Sequence, residues 1–433
     1  MTIHVVEAGQ TVNSIAQQYG VTPERIIIDN ELPNPNNLVV GQSIVIRVPE
    51  LTHTVVQGDT LFGIAQQYGV EPLQILQNNP RIAARQALTP GETIVISFQN
   101  GERLGSIVIN GYAYPFINRD VLRMTLPYLT YLSIFTYGFT PAGDLIPIDD
   151  TELIQIAREF GVAPIMMLAP MSADQNFDPQ IAHEMFINPE GQNRLIENIV
   201  TNMQAKGYVG LDIDFEFIQP EDREAFINFI RNVNTRLDQE GLLTLVALAP
   251  KTSGEQTGLL YEAHDYPAIG AIADMVLLMT YEWGYLFGPP MATSPLNNVR
   301  TVLEYGVSVI PPEKVLMGVP NYSYDWPLPF IQGETMAQAL SNQEAIYRAS
   351  QYGVTIQFDP VAQAPFYFYT DGNGVEHVVW FDDARSMDAK FRLINEFGLA
   401  GAGYWQIMDF FPASWMVAIS LYEIEKVAEL QLQ

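Results

Sequence analysis

The sequence predicts an α/β chain in which a (β/α)8 barrel of the TIM type follows two small βααβ modules. Three observations carry that prediction. HVVEAGQTVNSIAQQYGV (4–21) returns as HTVVQGDTLFGIAQQYGV (53–70), an offset of 49 residues that marks an internal repeat. From Gly105 onward, short apolar runs alternate with helical stretches, the pattern of βα units around a parallel sheet. The charge shifts as well: residues 1–100 carry net −4 and the remainder net −24, which places a boundary near residue 100.

Each repeat reads as a strand, a Gly turn, a helix around IAQQYG, a second short helix and a closing strand, GQSIVI (41–46) or GETIVI (91–96). Thr11 and Thr60 follow the turn as N-cap candidates. Gly20 and Gly69 stand where a helix C-cap belongs. Asn30 and Asn79 keep the offset of the repeat. The expected units are 1–49, 50–99 and 100–433. Barrel strands are expected at SIVIN (106–110), YLSIFTYGF (131–139), PIMMLAP (164–170), GLDIDFEFI (210–218), LTLVALAP (243–250), MVLLMTYEWG (275–284), VLMGVPNY (315–322) and AGAGYWQI (400–407). PEDREAFINFIRNVNTRL (220–237) is one of the intervening helices. A doubly wound sheet is the alternative, but no GxGxxG follows a strand, so dinucleotide binding has no support. FYFYTDGNGVEHVVWF (366–381) reads as a hairpin inside a short insertion before the last strand, which implies an open groove.

Composition narrows the function. The chain has 433 residues, 48% of them apolar, and a net charge of −28. That charge argues against nucleic acid and against an anionic membrane as partner. A ligand is therefore neutral or gripped by hydrogen bonds and stacking. Cysteine is absent, and the five histidines are scattered without HxxxH or HExxH, so no thiolate or zinc centre is expected and no cofactor is implied. No apolar run reaches the ~18–20 residues that span a bilayer. MTIHVVEAG lacks a basic start and a long apolar stretch, so no signal peptide is expected. A monomer is expected.

GYVGLDIDFEFI (207–218) carries the chemistry. In a strand, Asp212, Asp214 and Glu216 share one face, and Leu211, Ile213, Phe215 and Phe217 the other. Like charges at this spacing raise one another's proton affinity, which keeps a carboxylic acid protonated near neutral pH. The other open reading of the triplet is a divalent-cation site. Barrel strands present their functional groups at their C-terminal ends. Tyr137, Tyr281, Glu282, Asn321, Tyr322 and Trp405 fall there, and polar groups converging with aromatics suit a sugar ring. Tyr281 and Trp405 are equally readable as core aromatics.

These motifs resemble known families. The two repeats resemble LysM modules, which bind N-acetylglucosamine-containing glycans. The resemblance marks Gly9, Gln10, Thr11, Val12 and Asn30 in the first copy, and Gly58, Asp59, Thr60, Leu61 and Asn79 in the second. Gln10 and Val12 depart from the usual Asp and Leu. LDIDFE resembles the DxxDxDxE signature of family 18 glycoside hydrolases. MTYEW (279–283), GYWQI (403–407) and WFDDARSMDAKF (380–391) resemble that family's later motifs, over about residues 105–425. Two LysM modules ahead of such a barrel resemble the cortical-fragment-lytic N-acetylglucosaminidases of spore-forming bacteria.

The resemblance implies retaining, substrate-assisted hydrolysis. Glu216 serves as acid and then base, and Asp214 holds the sugar's acetamido N–H. Asp212 couples to both, Tyr281 bonds the acetamide carbonyl, and Trp405 floors the reacting sugar. Glu282, Asn321, Tyr322, Tyr137, Asp325 and Trp326 are substrate-contact candidates. Val209 stands where the signature has its first Asp, Glu282 where the family has Asp, and LAPMSA (168–173) where chitinases have SxGG. The implied substrate is spore peptidoglycan, cut at N-acetylglucosamine–β-1,4–muramic bonds, in the coat or cortex of a spore. The alternatives are a non-catalytic glycan-binding coat protein and a chitinase.

Overall fold

The computed structural model describes residues 1–85, 87–99, 101–171 and 177–427. The repeat folds as two βααβ units. In the first, strands Thr2–Val5 and Ser43–Ile46 pair antiparallel around helices Val12–Tyr19 and Pro23–Asn30. In the second, strands Pro49–Thr54 and Thr93–Phe98 enclose helices Leu61–Tyr68 and Pro72–Asn78, and a further helix, Pro80–Arg85, follows. The caps lie where the sequence puts them. The Thr11 hydroxyl accepts from the Ser14 N–H and the Thr60 hydroxyl from the Gly63 N–H. Gly20 and Gly69 close the helices with φ of 68° and 65°, a backbone only glycine adopts freely. The repeated His and Tyr also have a shared task. His4 Nδ1 lies 3.1 Å from the Tyr19 hydroxyl and His53 Nδ1 3.0 Å from that of Tyr68, pinning strand to helix.

Eight parallel strands close the barrel: Gly105–Ala113, Tyr131–Phe139, Ala163–Leu168, Gly210–Ile213, Leu243–Leu248, Met275–Leu278, Val315–Pro320 and Gly401–Trp405. Each pairs with the next, and the last pairs with the first through Ala402 and Ile109. At Gly401 a Cβ would sit 1.8 Å from the Val108 carbonyl oxygen, so only glycine fits that closure. All eight expected strands are present, and several end earlier than expected. The fourth stops at Ile213 rather than 218, so Glu216 stands on the turn beyond it. Leu211, Ile213 and Phe215 face outward and are wholly buried. Phe215 stacks among Phe139, Phe226 and Phe229 at ring separations of 5.5 to 5.6 Å. Phe217 breaks the expected alternation. It is 40% exposed and takes a φ of 57°, because the strand has already given way to a turn.

The insertion before the last strand is not short. It forms a five-stranded sheet ordered Gln338–Leu340, Ser323–Pro327, Glu376–Trp380, Ala364–Thr370, Gln357–Asp359, with helix Asn342–Tyr352 packed on it. The expected hairpin is its fourth and third strands.

Both modules are docked. Asn34 of the first module donates to the Ser350 hydroxyl of the insertion, and a Cβ on Gly41 would sit 1.9 Å from the Ile356 carbonyl oxygen. The second module exchanges two bonds with the barrel, Gln77 Nε2 to Pro127 O at 2.9 Å and Tyr128 Oη to Gln77 O at 2.7 Å. Its Ile64, Ile75 and Ile94 share one apolar core with the barrel helices.

Candidate active site

Period-two alternation turns Asp212 and Asp214 into the barrel and carries Glu216 to its mouth. Asp212 is fully buried. Its Oδ2 accepts from the Tyr112 hydroxyl at 2.6 Å and the Ser133 hydroxyl at 3.3 Å, while Oδ1 has no partner. Burial pushes its carboxyl up to about 7, against the pull of those two hydroxyls. Asp214 is buried, its Oδ1 also unpartnered. Burial and then the charges of Glu216 and Asp212 hold its proton far above the usual carboxylate range. Glu216 is half-buried. Burial first and the nearby Glu282 charge second push it up to about 7. Three carboxylates in a row thus share fewer charges than they have groups near neutral pH, and they titrate as a set.

A cavity of 360 Å3 opens over this row, within the range of small-ligand sites, and Asp214, Glu216, Tyr281, Glu282 and Trp405 line it. Trp405 forms one wall with Phe135 and Tyr114, ring centroids 5.1 and 6.0 Å away. Such a surface stacks on the C–H face of a pyranose, and the carboxylates supply hydrogen bonds at its edge. Tyr281 is 8% exposed. Burial and the carboxylates around it keep its hydroxyl protonated, hence a donor. Glu282 takes a φ of 66°, a costly backbone for a non-glycine residue. Its Oε1 accepts from Tyr322 at 2.5 Å and Tyr324 at 3.1 Å. The insertion therefore holds Glu282 in place, and Tyr322 reaches the site through it.

Four expected substrate contacts lie elsewhere. Tyr137 is 1% exposed and faces the outer helix layer, its hydroxyl 2.5 Å from Asp150 Oδ2 and 2.6 Å from Lys206 Nζ. Alternation put it on the wrong face because the register of its strand is irregular between Ile134 and Tyr137. Asn321 is buried and donates to the carbonyls of Gln406 and Asp409, tying the seventh and eighth strand ends together. Asp325 is 1% exposed inside the insertion, bound by Arg348, Tyr369 and His377. Trp326 is wholly buried and donates to the Gly288 carbonyl at 2.8 Å. Asp325 and Trp326 belong to a core that the short-insertion reading did not foresee.

The departures from the signature also find their place. Val209 packs against Tyr131, Ala163 and Ile165 at the far end of the barrel, so the acidic chain stops at Asp212 in an apolar layer. Of LAPMSA, Leu168 to Met171 are described, whereas Ser172 and Ala173 lie outside the described residues.

Tyr112, Tyr114 and Phe135 were missed by sequence reasoning. GYAYPF (111–116) carries aromatics at every second position past SIVIN, the same period-two signal as the acidic triplet. His264 was missed too. Its Nδ1 accepts from the Ala249 N–H at 2.8 Å, so Nε2–H donates to the Phe215 carbonyl at 3.1 Å. Burial pushes the imidazole down to about 4. A neutral ring thus anchors the turn between Asp214 and Glu216.

In the modules, Asn30 and Asn79 are structural. Asn79 donates to the Ile75 and Val95 carbonyls and accepts from the Val95 N–H, and Asn30 does the same with Ile26 and Val45. Val12 is buried in the first module's core. Gln10 and Asp59 each brace the loop of their own module, accepting from the Glu7 and Val56 N–H groups respectively. Gly9 and Gly58 turn those loops with φ of 84° and 96°. Thr11 and Thr60 are the helix caps described above. Leu61 and Thr60 line a cleft facing the barrel.

An acidic row at the mouth of a closed (β/α)8 barrel, floored by aromatics and preceded by two βααβ modules, defines a carbohydrate-cleaving barrel with carbohydrate-binding modules. The chain belongs to the glycosyl hydrolases of family 18, whose model matches residues 172–409, and LysM domains match 4–47 and 53–97. It is similar to the cortical fragment-lytic enzyme of Bacillus subtilis, at 42% identity over 98% of this chain and 99% of that one. The Bacillus cereus enzyme of the same name is 38% identical, with 98% of this chain and 99% of that one covered. The crystal structure of the spore cortex-lytic enzyme SleL of Bacillus megaterium superposes with a TM-score of 0.82 at 41% identity, over 98% of each chain.

The raised carboxylates give a pH prediction. The Glu216 carboxyl keeps its proton below about 7 and loses it as pH rises through that value. Glu282 contributes a like charge, so Glu282→Gln lowers the proton affinity of Glu216. The alkaline limb of the kcat profile is expected to move down by up to about one pH unit. A limb that stays put or rises removes Glu282 from the electrostatics of the acid.

Proposed function

We propose that the chain is a spore peptidoglycan N-acetylglucosaminidase that works by substrate-assisted retention. The observation that supports it most is the coupled Asp214–Glu216 pair, proton-rich beneath an aromatic wall and beside Tyr281. In this reading Glu216 protonates the glycosidic oxygen, and its carboxylate then deprotonates the incoming water. Asp214 accepts the acetamido N–H. Tyr281 donates to the acetamide carbonyl and steers its oxygen onto the anomeric carbon. Trp405 carries the ring. Asp212, pinned by Tyr112 and Ser133, positions Asp214 and keeps the row short of full ionisation. The chain divides into a module at 1–49, a module at 50–99 and a catalytic barrel at 100–433. It acts as a monomer, in the cortex or coat of a spore-forming bacterium, on glycan rather than nucleic acid.

The reacting sugar needs a free acetamido group. A muramic residue closed into a lactam lacks one, so N-acetylglucosamine occupies the reacting position. Digestion of purified cortex fragments, read by mass spectrometry, is expected to release products with reducing N-acetylglucosamine ends. Products with reducing muramic ends contradict the proposed bond. Release from chitin oligomers at equal or greater rate favours the chitinase alternative.

A further inference from the structure

We infer that the barrel supplies the second wall of the second module's glycan cleft, so that one oligosaccharide site is built from two domains. This rests on the glycan reading of the modules given above. The cleft has a volume of 1110 Å3, above the ~300–1,000 Å3 usual for a small molecule and suited to several linked sugars. Its two sides differ in chemistry. The module side presents Leu61, Phe62, Ile82 and Leu88, and the Phe62 ring is 43% exposed. The barrel side presents Thr151 and Gln155, both exposed, from the helix Thr151–Glu159 that follows the second strand.

A pyranose has apolar C–H faces and a polar rim of hydroxyl and acetamido groups. An aromatic and aliphatic wall facing a hydroxyl and amide wall matches both at once. The ligand class is an uncharged β-1,4-linked N-acetylated glycan, because the polar side offers neutral groups where it is free. The charged groups there are already engaged: Glu159 accepts from Arg123 at 2.8 Å. Arg158 donates to the Lys206 and Gly207 carbonyls, and Lys206 binds Asp150 and Tyr137.

The walls do not need to be brought together by the ligand. Gln77 and Tyr128 bond module to barrel, and the helix Pro80–Arg85 packs against the barrel helix Arg119–Thr125. Preorganisation of this kind removes an ordering cost from binding. It also holds the bound strand in one orientation relative to the barrel, which a freely tethered module does not do.

The test uses the full chain with Glu216→Gln, so that nothing is hydrolysed, and sedimentation with insoluble cortex peptidoglycan. Gln155→Trp fills the barrel side of the cleft, and Phe62→Ala strips the module side. Each is expected to weaken binding by about tenfold or more. With Glu216 restored, each leaves turnover of a short soluble substrate unchanged, which shows that the fold and the catalytic pocket are intact. Weakening by Phe62→Ala alone means the module binds without the barrel and overturns the composite cleft. A parent chain that binds cortex and is indifferent to both changes overturns it too. A parent that does not bind at all overturns the glycan reading of the modules itself.

Discussion

Glu216→Gln is expected to lower turnover of cortex fragments by about 10²–10⁴-fold while leaving sedimentation with cortex glycan at the wild-type level. The amide occupies the same volume and can still donate a hydrogen bond to the leaving oxygen. It cannot release a proton to it, nor take one from water in the second half of the reaction. The lining of the pocket is otherwise untouched. Stability gives a second readout with a definite sign. The folded-state pKa of Glu216 is raised to about 7 by burial and Glu282. A raised value means that the favourable contribution is full below the unfolded pKa and lost as pH rises through about 7. Glutamine has no charge to acquire. The variant should therefore melt above wild type at about pH 8 and match it near pH 4. Equal turnover in variant and wild type would return the barrel to the alternative of a non-catalytic glycan-binding protein.

The features that were legible in the sequence are those with a short period. The 49-residue repeat, the eight apolar runs and the acidic alternation each leave a local pattern, and each appears in the fold as a module, a barrel strand or the row at the mouth. The less legible features depend on where a strand stops or slips. Tyr137 reads as a strand-end tyrosine, but an irregular register sends it to Asp150 and Lys206 behind the barrel. Phe217 continues the alternation in sequence and leaves it in space, because the strand ends at Ile213. Asp325 and Trp326 look like candidates for sugar contact by composition, yet both fill the insertion's interior. Asn30 and Asn79, marked by the module resemblance, spend their amides on their own backbone. His264 had no sequence signal. It lies 49 residues from the Phe215 carbonyl it holds, and only the closed barrel brings the two together.

Asp214→Ala is the second large effect, expected to cut kcat by about 10²–10³-fold with KM changed far less. In the proposed reaction the acetamido nitrogen gains positive character as its carbonyl oxygen attacks the anomeric carbon. An Asp214 oxygen accepting from that N–H is worth most when the charge has developed, so its loss falls on kcat rather than on ground-state binding. The site is built for such a demand. Asp214 is buried with an unpartnered Oδ1 in the resting protein, which leaves an acceptor that the substrate's N–H can satisfy. Asp214→Asn keeps an acceptor oxygen but can neither release nor take up a proton within the acidic row, so it should retain more activity than alanine while remaining well below wild type. The order wild type, Asn, Ala in kcat is the signature of a hydrogen bond that strengthens in the transition state. A loss confined to KM would place Asp214 in substrate binding alone. Unchanged kinetics in both variants would leave the acetamido group without its partner, and the substrate-assisted route would fail with it.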